Sequence, residues 1–386
     1  MALPNSLGKA PTQRVSWFEL FYDLVLVAAI SQVGKVYVKE PTWAMTCLIA
    51  ASVVVLFGIW LLTAVGYGLF RRETTWRRVL LLIQMLGVVV AALSLSKTGL
   101  PGWAGFIAIA VVVITQTLIY AGFTRVSAPM QGSLRVVVWS TSIAVVIFAL
   151  AATFMLLASV DNTNLVATLA LIAGGAVLLA PLIWRVMPGV LPSIDLHHLD
   201  ERFGLLVIVV LGESFINLVS NLGTLGSIPN PIAFLLAFLI AYALWSIYFS
   251  SVQAYEIPTH AWAFRLWVVA HLLFVAAAIA VAVEFTDLST HAVDELNVAT
   301  GNWTPLPMIG AVCAVALISW QAKGAPRAML RAHLIAIAAL VGLFVVDIAR
   351  GYEQMPWFVF AGAVVVMGDA VACTLIRHRT KAEDTS

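Results

Sequence analysis

The chain contains 386 residues, of which 62% are hydrophobic and only 10% are charged, and its mean hydropathy is +1.01. Soluble domains contain about 25% charged residues, so this composition excludes a water-soluble globule and indicates a protein of the lipid bilayer. The formal net charge of +2 is too small to indicate a nucleic acid partner.

Apolar segments of about 20 residues recur along nearly the whole chain and predict a polytopic, all-α bundle of transmembrane helices. Short polar or Gly/Pro-rich segments separate them, and none is long enough to form a soluble domain. The N-terminal residues are polar and no small-residue cleavage site precedes a soluble region, so no removable signal peptide is expected. Twelve spans are predicted, at residues 17–34, 42–67, 77–96, 102–123, 136–159, 164–184, 203–221, 232–253, 264–285, 307–322, 331–349 and 356–376.

The Lys and Arg residues are concentrated on one side of these predicted spans. Of the 21 basic residues, 17 fall on the side of the N-terminus, and the other four are Lys35, Lys39, Lys97 and Arg350. Because basic residues mark cytoplasmic loops, both termini are predicted to be cytoplasmic. A miscounted span would blur this asymmetry, so its sharpness favours an even number of spans.

An even number of spans allows a parallel repeat of six plus six helices, as in transporters built from duplicated halves. The first membrane half would be residues 1–190 and the second residues 191–386, together forming one membrane domain. The matching positions are Glu19 with Glu201, Phe21 with Phe203, Arg78 with Arg265 and Gln84 with His271. These matches are few, and apolar helices align easily, so an unrepeated bundle is the alternative.

The first span carries two carboxylates, Glu19 and Asp23, which lie on one helical face because they are four residues apart. Ser16 and Glu19 have the spacing of a capping box, which gives Glu19 a structural explanation. Asp23 lies about 10 Å beyond that cap, below the headgroup region. An ionisable group at that depth is costly unless it faces protein or water, so Asp23 is a candidate for the substrate or proton pathway.

The second polar segment begins the seventh span. His198 and Glu201 are three residues apart and could together bind a metal, although two ligands are a weak signal and a solvated helix start is the preferred interpretation. Arg202 is a candidate charge partner near the cytoplasmic end. The cysteines lie in apolar runs and are expected to act as small hydrophobic residues, so no metal site and no cofactor are predicted.

Glu213 is the residue most strongly indicated as functional, because it lies roughly 16 Å into the seventh span, near the bilayer midplane. A carboxylate there must be protonated, paired or next to water. Gly212 would allow close approach of another helix, and Ser214 is a candidate neighbouring donor. The alternative is a protonated, hydrogen-bonded glutamate with a structural role only.

Three further polar residues are expected at a depth similar to that of Asp23: Gln84, His271 and Asp369. A shared depth is necessary for a common site, but it does not show that the helices touch. Aromatic residues around Trp245 could form a ligand wall, although an interfacial aromatic belt explains them better.

Several stretches resemble the bacterial low temperature requirement A (LtrA) family of integral membrane proteins, in the same order along most of the chain. They are Phe18-Glu-Leu-Phe-Tyr-Asp-Leu-Val-Leu-Val27, His198-Leu-Asp-Glu-Arg-Phe-Gly-Leu-Leu-Val-Ile-Val-Val-Leu-Gly-Glu-Ser214, Trp245-Ser-Ile-Tyr-Phe249 and His271-Leu-Leu273. The family pattern leads us to expect an acidic residue after the third stretch, where this chain has Ser250.

The resemblance implies a multi-pass protein of the bacterial cytoplasmic membrane, named for a cold-growth phenotype, with no settled biochemical activity. The family motifs carry over here as Glu19, Asp23, His198, Glu201, Arg202, Glu213, Ser214 and His271.

Three functions are compatible with these residues. The first is a proton-coupled transporter of a small or amphipathic solute, with Asp23 and Glu213 as protonatable groups, His271 as a relay and Arg202 as their charge partner. The second is a membrane-embedded enzyme that acts on a lipid or isoprenoid, with the same carboxyls as acid and base. The third is a structural or regulatory protein whose buried acids only fix helix packing.

Overall fold

Long apolar segments must satisfy their backbone hydrogen bonds internally in a bilayer, and this chain does so with helices. The computed structural model describes residues 15–39, 42–70, 74–96, 99–124, 131–157, 163–184, 193–225, 231–253, 255–290, 305–350 and 355–384. Within these ranges there are twelve helices and no strand. The helices are α1 (Trp17–Lys39), α2 (Trp43–Leu69), α3 (Thr75–Leu95), α4 (Gly102–Thr124), α5 (Gln131–Leu157), α6 (Thr163–Trp184), α7 (Leu196–Leu225), α8 (Pro231–Ser251), α9 (Ala261–Thr290), α10 (Pro305–Gln321), α11 (Arg327–Ala349) and α12 (Met355–Asp384).

The prediction of an all-α polytopic bundle is confirmed, with one helix at each predicted span. Ten of the described helices are long and apolar enough to cross a membrane. The other two are α10, which has 17 residues, and α7, which begins with the charged segment around Glu201 and then becomes apolar.

Hydrogen bonds between helix ends show that the odd-numbered helices α1 and α7 start at the same end of the bundle. His198 near the start of α7 contacts Glu19 near the start of α1. At this end the Gln253 amide, just after α8, donates to the backbone oxygen of Asp200, and Arg377 of α12 donates to the backbone oxygen of Phe249. The start of α1 and the end of α12 therefore lie at one end, which we call the basic end because the predicted concentration of Lys and Arg falls there.

The helices of the first half of the chain pack in a pattern that the second half reproduces. In the first half α1 packs on α2 and α3, α4 on α2, α3 and α5, and α6 on α2 and α5. In the second half α7 packs on α8 and α9, α10 on α8, α9 and α11, and α12 on α8 and α11. The second half has two further contacts, of α8 with α9 and of α10 with α12, which have no counterpart among the main contacts of the first half. The two halves meet where α1 and α2 pack against α7 and α9.

Candidate functional site

Three charged side chains and a histidine meet between α1 and α7. Arg202 donates from Nη1 to Glu19 Oε2 at 2.6 Å, and the Nε2 atom of His198 lies 3.0 Å from the same oxygen. The other oxygen of Glu19 accepts a hydrogen bond of 2.9 Å from the Ser16 hydroxyl, which in turn accepts from the Glu19 backbone N–H. The predicted capping box is therefore present, and it orients a carboxylate that also binds the second half of the chain.

Asp23 binds the same guanidinium one helical turn further along α1. Its Oδ1 atom accepts from Arg202 Nη2 at 2.5 Å and from Trp60 Nε1 of α2 at 2.7 Å. Arg202 thus uses one terminal nitrogen for each carboxylate, a fork that a planar guanidinium can form. We call Glu19, Asp23, His198 and Arg202 the Arg202 cluster.

The side chains of the Arg202 cluster are fully buried. Glu19, Asp23 and Arg202 are 0% exposed and His198 is 1% exposed. Two carboxylates and one guanidinium leave one negative charge in excess, and a buried net charge is costly. The cluster becomes neutral when it holds one additional proton, on His198 or on a carboxyl group.

Three buried atoms of the Arg202 cluster have no hydrogen-bond partner among the described residues: Asp23 Oδ2, His198 Nδ1 and Arg202 Nε. Each such atom costs about 1–3 kcal/mol relative to a satisfied one. The two that can accept a proton, Asp23 Oδ2 and His198 Nδ1, belong to the groups that can neutralise the cluster.

An aromatic wall follows the cluster along α7. The Phe203 ring packs edge-on against Trp60 at 4.9 Å and Trp267 at 4.6 Å between centroids, and it contacts the His271 ring at 4.4 Å. The guanidinium carbon of Arg202 lies 5.8 Å from the Trp60 ring centre, which adds a cation–π attraction. Apolar rings around the ion pairs lower the local dielectric and strengthen them.

His271 is fully buried in this wall and forms two hydrogen bonds. Its Nδ1 atom lies 2.8 Å from the backbone oxygen of Trp267, and its Nε2 atom lies 3.1 Å from the Tyr248 hydroxyl. A carbonyl can only accept, so we assign the hydrogen to Nδ1 and let the tyrosine donate to Nε2. His271 is thus a neutral, oriented imidazole that contacts the Arg202 cluster through Phe203.

Gln84 belongs to a buried polar network beside the cluster, among the first four helices. Its amide nitrogen donates to Gln116 Oε1 at 2.8 Å. The Thr63 hydroxyl lies 3.2 Å from the same Gln116 oxygen, 3.3 Å from Gln84 Oε1 and 3.4 Å from the Tyr22 hydroxyl. Tyr22 precedes Asp23 in α1, so this network continues the polar interior from the cluster into the space between the first four helices.

Glu213 and Ser214 lie apart from the Arg202 cluster. They are about three helical turns beyond Arg202 on α7, a rise of roughly 16 Å. The Glu213 side chain is half-buried, and the Ser214 hydroxyl donates to the backbone oxygen of Val210 at 2.9 Å. Ser214 also lines a cavity of about 20 Å³ between α7, α8 and α9, which is room for about one water molecule.

His198 does not lie in a solvated helix start as predicted, because it is 1% exposed and its Nε2 atom is 3.0 Å from Glu19. The side chain of Glu201 is half-buried. The described residues instead bring His333, Asp369 and Cys373 close enough to share a metal ion. The structure therefore places Asp369 with a histidine and a cysteine, away from Asp23.

Three residues of these sites were not considered in the sequence analysis: Trp60, Gln116 and His333. Cys373 was expected to act only as a small hydrophobic residue, and Tyr248 was noted only as part of the Trp245–Phe249 stretch. A polar side chain inside an apolar run was an available signal for Gln116 and His333. Trp60 offered none, because the chain has 13 tryptophans and their partners are distant in sequence.

Comparisons with known proteins place the chain in a family. The chain is 24% identical over 352 residues to an uncharacterised protein of Rhizobium meliloti (strain 1021), and the alignment covers 86% of this chain and 82% of that protein. A family model described as bacterial low temperature requirement A protein (LtrA) matches residues 14–372. This match spans both α1 and α7, whose motifs build the Arg202 cluster, and it shows that the chain belongs to the bacterial low temperature requirement A (LtrA) family.

Proposed function

We propose that this protein is a proton-coupled transporter of a small or amphipathic solute in the cytoplasmic membrane, with its basic end facing the cytoplasm. The observation that carries the proposal is the Arg202 cluster, a buried ion-pair network whose members come from both halves of the chain. Intramembrane ionisable groups of this kind are typical of proton relays and substrate pathways.

The cluster provides one proton-binding unit. Glu19 and Asp23 together outweigh the charge of Arg202, so neutrality requires a proton on His198 or on a carboxyl. Asp23 Oδ2 has no hydrogen-bond partner among the described residues, so it can take up a proton without breaking an existing bond. A protonated Asp23 attracts the guanidinium less than a carboxylate does, which weakens the link between α1 and α7.

The position of the cluster suits a gate. It joins the two halves near the basic end, and the matching packing of α1–α6 and α7–α12 supports two six-helix repeats that move against each other. In transporters built from repeats, alternating access arises from such rocking around a central site. Opening at the basic end requires that Arg202 release Glu19 and Asp23, so protonation and opening are coupled.

Glu213 provides a second protonatable group nearer the other end of α7. Glu213 lies about 16 Å from Arg202 along the helix. The carboxyl groups of Asp23 and Glu213 would therefore exchange protons with opposite sides of the membrane. The buried network of Gln84 and the oriented imidazole of His271 lie beside the Arg202 cluster and would supply donors and acceptors for a solute once the halves separate.

The proposal is tested with the full chain in proteoliposomes that contain a pH-sensitive dye. A panel of amino acids, sugars and amphipathic cations is added outside, and we expect at least one solute class to drive proton movement that protein-free liposomes lack. Asp23→Asn and Glu213→Gln should abolish this movement while the protein stays folded and inserted.

Two results would contradict the proposal. One is solute-driven proton movement of wild-type size in Asp23→Asn. The other is the absence of any proton movement together with a chemically altered lipid in extracts of the proteoliposomes, which would favour an enzyme that acts on lipids.

A further inference from the structure

A second buried cluster lies between α11 and α12 and shares no residue with the Arg202 cluster. His333 Nδ1 is 2.8 Å from Asp369 Oδ2. The Cys373 thiol is 3.5 Å from Asp369 Oδ1 and 3.9 Å from His333 Nδ1. His333 and Cys373 are 0% exposed and Asp369 is 3% exposed.

We propose that His333, Asp369 and Cys373 form a binding site for a divalent transition metal, with Zn²⁺ as the first candidate. Imidazole nitrogen, carboxylate oxygen and thiolate sulfur are the three ligand types that zinc takes in proteins. This departs from the expectation, drawn from the sequence, that the cysteines act only as small hydrophobic residues.

The distances between the ligand atoms are close to those of a tetrahedral zinc site. Bond lengths of about 2.0–2.1 Å to nitrogen or oxygen and about 2.3 Å to sulfur place neighbouring ligand atoms about 3.3–3.6 Å apart. The observed separations are 2.8 Å from His333 Nδ1 to Asp369 Oδ2, 3.5 Å from the Cys373 thiol to Asp369 Oδ1 and 3.9 Å from the thiol to His333 Nδ1. With one ligand atom from each residue, the three atoms lie within 4.8 Å of one another. Rotation about side-chain torsions would bring them to one ion.

Charge favours a divalent cation at this position. A neutral imidazole, a carboxylate and a thiolate carry two negative charges, which one divalent ion neutralises. A neutral assembly avoids the large cost of leaving a net charge inside the membrane. A monovalent ion would leave one negative charge uncompensated.

Ser251, at the end of α8, brings a further oxygen to this site. The residue is 0% exposed, and its hydroxyl lies beside the Cys373 thiol. A tetrahedral ion held by three side chains keeps a fourth position, which this hydroxyl or a water bound to it can fill. The ion would then tie α8, α11 and α12 together.

Polar groups connect the site with the basic end of the bundle. Thr374, next to Cys373, has its hydroxyl 3.3 Å from Ser246 Oγ and 3.5 Å from Ser250 Oγ. Arg377 follows one turn later on α12. Hydroxyl groups thus extend from the site along α8 and α12 toward the basic end.

Cobalt titration of the purified full chain tests the proposal, because Co²⁺ replaces Zn²⁺ and a thiolate ligand gives a charge-transfer absorption band. We expect one Co²⁺ per chain, a thiolate band, and its loss on addition of Zn²⁺. Cys373→Ser should lose the band, and Asp369→Asn should weaken binding by about 100-fold or more. The matched control is Cys313→Ser, a cysteine outside the cluster, which should bind as the wild type does.

Size-exclusion chromatography verifies that each variant is folded, and a rise of the wild-type thermal midpoint with Zn²⁺ gives a second measurement that Cys373→Ser should not show. A wild-type protein that binds no Co²⁺ and is not stabilised by Zn²⁺ would overturn the proposal. A thiolate band that persists in Cys373→Ser would also overturn it.

Discussion

Arg202 connects the two family motifs because it binds Glu19 and Asp23 with separate nitrogens at 2.6 and 2.5 Å. Its planar fork is what allows one side chain to hold two carboxylates on successive turns of α1. A lysine has the same charge but a single compact ammonium group, so it cannot reproduce this geometry.

We therefore expect Arg202→Lys to destabilise the folded protein by about 3 kcal/mol, since one buried carboxylate would lose its charged partner. Thermal unfolding in detergent, followed by tryptophan fluorescence, measures the effect. The matched control is Arg135→Lys, because Arg135 is exposed on α5 and its replacement should not change the midpoint. Equal thermal midpoints for Arg202→Lys and Arg135→Lys would contradict the conclusion that the binding of two carboxylates by the Arg202 guanidinium stabilises the protein.

Asp200, just before the seventh predicted span, should make stability depend on pH. Burial raises the pKa of the Asp200 carboxyl to about 7, His197 opposes the rise, and Glu201 adds to it. The folded protein keeps this proton while an unfolded chain, with a pKa of about 3.9, has lost it. Stability from the protonated form is therefore complete at low pH and is lost as pH rises from about 4 to about 7.

Asp200→Asn removes this dependence because an amide has no proton to lose. The difference between the thermal midpoints of Asp200→Asn and the wild type should increase as pH is raised to about 7 and stay constant above it. A difference that does not change with pH would show that the Asp200 carboxyl is not perturbed.

At the residue scale the sequence predicted the buried acids better than it predicted their partners. The capping box of Ser16 and Glu19 is local, so its spacing was visible in the sequence, and the observed hydrogen bonds confirm it. The bond between Glu19 and Arg202 joins residues 183 positions apart. No local pattern encodes such a contact, because it depends on which helices pack together.

Helix packing at the element scale depends on small residues. An added Cβ at Gly87 of α3 would lie 2.5 Å from Val112 Cγ2 and 3.2 Å from the backbone oxygen of Ala108, both on α4. Gly342 of α11 would meet nothing within 4 Å. Gly87 therefore permits the close approach of α3 and α4, whereas Gly342 has open space around it.

Gly87→Ala should therefore lower the stability by about 1–3 kcal/mol through overpacking. Gly342→Ala should leave the thermal midpoint unchanged or slightly higher, since alanine favours helix over glycine by about 0.5–1 kcal/mol. Thermal unfolding of both variants under the same conditions makes the comparison. A larger loss for Gly342→Ala than for Gly87→Ala would contradict the described contact between α3 and α4.

The twelve predicted spans correspond to the twelve described helices because apolar length is a strong local signal. Their ends were predicted less well. The seventh span was predicted at 203–221, whereas α7 covers Leu196–Leu225. Hydropathy detects the apolar part of a helix, and the polar turns that carry His198 and Arg202 extend beyond it.

At the scale of the whole molecule, equal depth did not mean a shared site. Asp23 and Asp369 were expected at similar levels, and they lie in separate clusters because α1 packs against α7 while α12 packs against α8 and α11. Which helices become neighbours is decided by side-chain complementarity over the whole bundle, and that information is not contained in any one span.

The repeat of six plus six helices remains a prediction that the corresponding helix contacts support. If the halves rock around the Arg202 cluster, a change in the cluster's charge should reduce proton-driven accumulation of the solute more than it reduces exchange of the solute at equal pH. Asp23→Asn is the informative variant because asparagine keeps an oxygen for Trp60 Nε1 while it removes the charge that a proton would neutralise.

The most direct test compares solute accumulation driven by a pH gradient with solute exchange at equal pH, in proteoliposomes that contain wild-type or Asp23→Asn protein. We predict that Asp23→Asn retains exchange of the labelled solute and loses accumulation against its gradient. Accumulation by Asp23→Asn at the wild-type level would contradict the claim that the Arg202 cluster couples protons to transport.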